Sequence, residues 1–172
     1  SSDLVNTGGN VTAIINGAGN AIGNIGSSSS YFNTVFATAT TALYADVAER
    51  FAADEVYTPG TVVELGGSAE ITMVRTDASD QVFGVISTRP AFTMNGGAGE
   101  NDTHPPVAMT GRVPCLVQGP VAKGTVLVTS TTPGVAQAID YDQYRPGAIF
   151  GKSLAEIADR SVKLIEVVVG RF

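Results

Sequence analysis

Residues 105–117 read PPVAMTGRVPCLV. A proline pair opens a run rich in valine and other apolar residues, which is strand composition bounded by a turn signal. The same punctuation recurs in both directions. Upstream, Pro59-Gly60 leads into TVVEL, Gly66-Gly67 separates it from EITMVR, and Ser79-Asp80 precedes QVFGVIS. Downstream, Lys123-Gly124 opens TVLVTS, Pro146-Gly147 opens AIFG, and Ser161 opens VKLIEVVV. At least seven short strands are expected from residue 57 onward, with only Ser153 to Asp159, within KSLAEIAD, offering a helical turn. Close spacing and frequent Gly and Pro favour a β-barrel or β-sandwich over any βαβ arrangement. The expected fold class is all-β.

Composition sets limits around that core. The 172 residues are 44% hydrophobic and only 15% charged, with 20 glycines and no tryptophan, which suits one folded domain with an extension. No stretch approaches the roughly 20 apolar residues of a bilayer crossing, so no membrane insertion is expected. Ten Lys and Arg against 16 Asp and Glu give a net charge of -6, which leaves little for phosphate neutralisation and excludes nucleic acid as an expected partner. Cys115 is the single cysteine, so neither an internal disulfide nor a thiolate zinc site is available. The start, SSDL, has no basic stretch followed by an apolar run, and it reads as a boundary within a longer chain.

The charge is unevenly placed. Asp3 is the only charged residue before residue 44, and the segment reads GGNVTAIINGAGNAIGNIGSSSS, which alone would pass for a flexible linker. Yet Asn10, Asn20 and Asn24 each follow a glycine, and Ile14, Ile15, Ile22 and Ile25 recur between these turn signals. One copy could not bury those isoleucines, whereas copies wound about a common axis could. Residues 1–43 are therefore expected to form an intertwined homotrimeric stem, with a dimer or a plain linker as the alternatives. Residues 44–56 form a junction and 57–172 the β-rich terminal domain. In the junction, Leu43, Val47 and Phe51 at four-residue spacing suit a short helix capped by Thr41. Alternation of Ala45, Val47, Glu49 and Phe51 against Tyr44, Asp46, Ala48 and Arg50 suits a strand equally well.

Candidate sites are sparse. His104 is the only histidine, and no G-x-S-x-G elbow accompanies it, so hydrolytic catalysis is not expected. Glu100, Asp102 and His104 alternate and could share one face as metal ligands, but Pro105-Pro106 would break a strand there, and no metal or cofactor is expected. Asp77, Asp80, Asp140 and Asp142 could supply a carboxylate pair for glycoside cleavage, although nothing singles out a pair. Gly17-Ala18-Gly19 lacks the third glycine of a dinucleotide loop and reads as a turn. Tyr141 and Tyr144, with Arg145, could offer aromatic faces to a sugar ring, or pack in a core or trimer interface.

The string GNIGSSSSYFNTVFATATTALYADVAERFAADEVYTPGTVVELGG, followed by GVISTRPAFTMN, HPPVAMTGRVPC, GP-x-x-KG-x-x-LVTS-x-x-PG-x-A and IEVVVGRF, resembles the C-terminal region of tail-fibre proteins of tailed bacteriophages. The resemblance spans roughly Gly23 to Phe172. Tyr44, Ala45, Asp46, Ala48 and Glu49 match its junction motif, and Pro105, Pro106 and Gly111 to Cys115 match its central motif, mainly in structural roles. It implies a homotrimeric fibre on the virion, joined to the remainder of the fibre, whose distal part contacts a host surface glycan or protein. The protein is then not an enzyme; a self-cleaving intramolecular chaperone or other trimerisation domain is the alternative. Loops on a rigid scaffold carry recognition, so Asp102, His104, Tyr141, Tyr144 and Arg145 are the expected ligand contacts.

Overall fold

The computed structural model describes residues 25–27, 29–34, 41–143 and 145–170. The chain divides into two units, Ser1–Ala39 and Thr40–Phe172. In the first, the described residues hold an antiparallel bridge in which Ser27 and Ser30 exchange backbone hydrogen bonds at 2.9 and 3.2 Å. Of the expected stem, residues 1–24, 28 and 35–40, Asn10, Ile14 and Asn20 included, lie outside the described residues.

The second unit is essentially all-β. Its strands are β1 (Asp46–Arg50), β2 (Val62–Leu65), β3 (Ile71–Met73), β4 (Val82–Ile86), β5 (Phe92–Met94), β6 (Pro106–Gln118), β7 (Val126–Thr129), β8 (Ala136–Ala138), β9 (Gly151–Ser153) and β10 (Val162–Val169). A 3-10 turn at Tyr141–Gln143 is the one short helical element among the described residues, and none is long and apolar enough to cross a membrane.

The PPVAMTGRVPCLV run, as β6, is the seam of the fold. β6 continues in the order β8, β7, β9, β10, and β10 returns to pair antiparallel with β6, so the sheet closes into a barrel. A barrel, not a sandwich, is the outcome. Closure suits these strands because Val113, Cys115 and Val117 alternate inward along β6 while Arg112 points to solvent. Val167 and Val169 of β10, Leu127 of β7, Phe150 and Ile157 complete the same core. Burial pushes the Cys115 thiol up from its ordinary value.

Along its N-terminal half β6 serves another set of strands. It pairs antiparallel with β1 from Gly111 back to Pro106, and with β4 at Ala108 and Val107; β2 and β3 extend from β4. A second cluster fills this end, with Tyr57, Val63, Ile71, Ile86 and Val107 buried and Phe51 set edge-on to Phe83 at 4.9 Å between ring centroids.

The junction is a strand. Residues 46–50 form β1, held between β6 and the parallel β5, and no helix covers the described part of 41–54. Its buried face carries Asp46 and Ala48, while Val47 is half-buried. The expected helical turn at Ser153 to Asp159 is absent. Ser153 Oγ accepts from Ala155 N–H at 3.3 Å, Leu154 N–H donates to Glu166 at 2.9 Å, and Ile157 exchanges two 2.9 Å bonds with Val121, so the segment spends its hydrogen bonds on neighbours.

Candidate functional site

β1 begins beside the point where β6 changes partner. Gly111 pairs with Asp46 of β1 and with Val169 of β10, and its φ of +103° is one that L side chains rarely adopt. A Cβ there would collide with the Ala45 carbonyl and sit 2.9 Å from Asp46 Cα. Glycine thus lets the two backbones approach, and Arg112 N–H donates to Ala45 at 3.1 Å. On the other side Ala91 N–H donates to the Asp46 carbonyl at 2.8 Å.

These contacts place an open recess of about 360 Å³ at the start of β1. Leu43, Tyr44, Ala45 and Asp46 form one wall, Ser87, Thr88 and Arg89 after β4 another, and Arg112, Pro114 and Glu166 from β6 and β10 the rest. Asp46 and Ser87 are each only 4% exposed, and Asp46 Oδ2 and Ser87 Oγ have no hydrogen-bond partner among the described residues. Buried polar atoms are normally satisfied, so two orphans beside one recess are unusual. Arg89 and Arg112 are exposed, and neither is within ion-pair distance of a carboxylate among the described residues. Arg89 Nη1 donates to the Tyr44 hydroxyl at 3.5 Å. Arg89, Arg112 and Glu166 thus stand around the recess as exposed charged residues, while Asp46 Oδ2 and Ser87 Oγ are buried out of reach of solvent.

The residues expected to bind ligand lie elsewhere. Asp102 and His104 are in the loop before β6, Asp102 exposed and His104 half-buried. Arg50 ties this loop down, donating to Asn101 Oδ1 at 2.9 Å and to the His104 carbonyl at 2.7 Å, while Asn95 donates to the Arg50 carbonyl at 3.1 Å. His104 Nδ1 meets Thr103 Oγ1 at 3.1 Å, and its ring lies so close to Gly99 that a Cβ there would strike it. Among the described residues no group of three or more His, Cys, Asp or Glu is placed to hold a metal ion. Tyr141 is 72% exposed on the 3-10 turn and Arg145 is exposed; Tyr144 lies outside the described residues. No hydrogen bond between described residues joins this turn to the His104 loop.

Sequence reasoning passed over Ser87 and Arg89 and gave Asp46 and Arg112 structural roles. One signal was available, since the strand reading set Asp46 on the same face as Ala48. The second unit is a closed β-barrel with an open, mainly apolar recess at its β1 end that charged side chains border. Comparison of the chain with protein-family models and with curated proteins yields no match.

Proposed function

We propose that this chain is the C-terminal part of a phage tail fibre, a homotrimeric structural protein of the virion that attaches to a host surface receptor. One observation carries the reading. The segments that bear the tail-fibre resemblance are far apart in sequence, yet YAD supplies Tyr44 and Asp46, GVISTRPAFTMN supplies Ser87 and Arg89, GRVPC supplies Arg112 and Pro114, and IEVVVGRF supplies Glu166 to one recess. Four motifs that converge on a single cavity are better explained by a shared recognition site than by turn chemistry alone.

Exposed apolar side chains support assembly through copies of the chain. Leu43 is 83% exposed, Phe92 63% and Leu164 55%, more than an isolated barrel gains from presenting to water. Three copies on one stalk would multiply weak contacts into useful avidity. The trimerisation-domain alternative uses the same surfaces without a receptor. Fluorescently labelled chain applied to a panel of bacterial strains separates the two: saturable adsorption to some strains is expected, and no adsorption to any of them would leave only the connector role.

A further inference from the structure

We infer that the outer face of the β6–β10 pair, the strip formed by Leu164, Leu116 and Val162, packs against a second copy of this chain. This rests on the homotrimer reading and names the surface through which neighbouring barrels meet.

The water-facing side of an antiparallel sheet normally carries polar side chains. Along β6, Val113, Cys115 and Val117 point inward, so Pro114, Leu116 and Gln118 point out. In β10 the inward Val167 and Val169 leave Val162, Leu164, Glu166 and Val168 turned outward, and of these only Glu166 is polar. The register sets Leu164 opposite Leu116, Glu166 opposite Pro114 and Val162 opposite Gln118. Leu164 is 55% exposed and Val162 43%. Leu116 N–H donates to the Gly60 carbonyl at 2.9 Å, and a Cβ on Gly60 would strike Leu164 Cδ1, so Leu164 reaches past Leu116 to Gly60. The leucine lies across the strands and makes the strip flat, which suits a protein surface better than a small molecule.

Two observations make that partner a like copy. The first is where the chain enters. Leu43, Tyr44, Ala45 and Asp46 line the recess with Arg112, Pro114 and Glu166, and Arg112 N–H donates to Ala45 at 3.1 Å. The entering chain thus crosses the outer side of β6 and β10, beside the strip. Copies joined through the residues before 41 hold this side of each barrel close to the same side of the others, and the raised effective concentration makes a modest contact sufficient. The second is charge. Arg112 and Glu166, both exposed and neither in an ion pair among the described residues, border the strip with opposite signs. Such a surface complements itself, Arg112 of one copy meeting Glu166 of the next, whereas a wholly acidic or wholly basic partner meets one repulsion. The strip starts where the recess ends, so the recess keeps its opening to solvent.

The test uses the whole 172-residue chain, with light scattering for its mass and an aromatic disulfide reagent for its surface. Leu164→Cys and Val162→Cys each place a thiol on the strip, and Leu65→Cys places one on β2 at a comparable 47% exposure. Cys115 is fully buried and stays silent. In a lone chain the three new thiols would react alike. In the assembled chain the two strip thiols are expected to react about tenfold more slowly than the thiol of Leu65→Cys, because a neighbouring copy covers them. Two strip positions keep the test valid if one variant fails to fold. An assembled chain in which all three thiols react at the same rate would overturn the inference alone, and would leave the strip to another partner, a receptor included. A parent chain of one chain mass would defeat the homotrimer reading itself and the inference with it.

Discussion

Replacing Gly111 with alanine should damage both the barrel seam and the recess. Two costs add. The first is the φ of +103°, which places a Cβ against backbone and costs about 1–2 kcal/mol. The second is collision with the Ala45 carbonyl and with Asp46 Cα at 2.9 Å; relieving it by shifting β1 from β6 costs about 1–3 kcal/mol, as overpacking does elsewhere. The expected loss is about 2–5 kcal/mol, a fall in melting temperature of roughly 6–15 °C for a unit of this size. Gly66→Ala is the control, because Gly66 has φ of +136° but nothing within 4 Å of a would-be Cβ. It carries the conformational cost alone, about 1–2 kcal/mol. Urea denaturation of both variants, with the slope checked for two-state behaviour, measures the difference. Equal midpoints for the two variants would refute the claim that β1 and β6 are held in closer contact than a side chain allows.

Other outcomes follow from the same structure. Leu127→Ala, at a fully buried barrel position, should cost about 2–5 kcal/mol, whereas Leu65→Ala at a 47% exposed position should stay within about 1 kcal/mol by the same urea assay. Cys115, fully buried with its thiol pushed up, should resist an aromatic disulfide reagent in the native protein and react once urea unfolds the barrel; rapid native labelling would contradict the core assignment. Asp159 is held at about 2, below its ordinary 3.8, by the Ser161 hydroxyl, the Ser161 N–H at 2.9 Å and Lys163 at 3.2 Å. With the folded value depressed, its contribution is present above pH 3.8 and is lost as pH falls toward about 2, so Asp159→Asn should be less stable than the parent at pH 6 and match it near pH 2.

The fold was largely legible because its strands are marked by turns. TVVEL, EITMVR, QVFGVIS, VAMTGRVPCLV, TVLVTS and VKLIEVVV each hold an observed strand, and the Gly and Pro residues between them mark turns. AIFG was caught only at its end, as β9 starts at Gly151. The short β5 and β8 escaped, since three residues such as Phe92–Met94 carry too little pattern to register. Closure was not readable either. It depends on β10 returning to β6, a pairing between segments some fifty residues apart that neither segment encodes alone. The recess was hidden for a related reason. Asp46, Ser87 and Arg112 become neighbours only when three strands meet, and whether an aspartate on a short strand faces in or out is settled by tertiary packing. The loop residues Asp102 and His104 stood out by residue type, but that Arg50 holds their loop through Asn101 and the His104 carbonyl was not legible, because those partners lie some fifty residues away.

The tail-fibre account stands or falls on whether the chain assembles in threes. Light scattering coupled to size-exclusion chromatography of the 172-residue chain measures this directly. The account predicts a single species of three times the 17.6 kDa chain mass. A species of one chain mass across the accessible concentration range would contradict it.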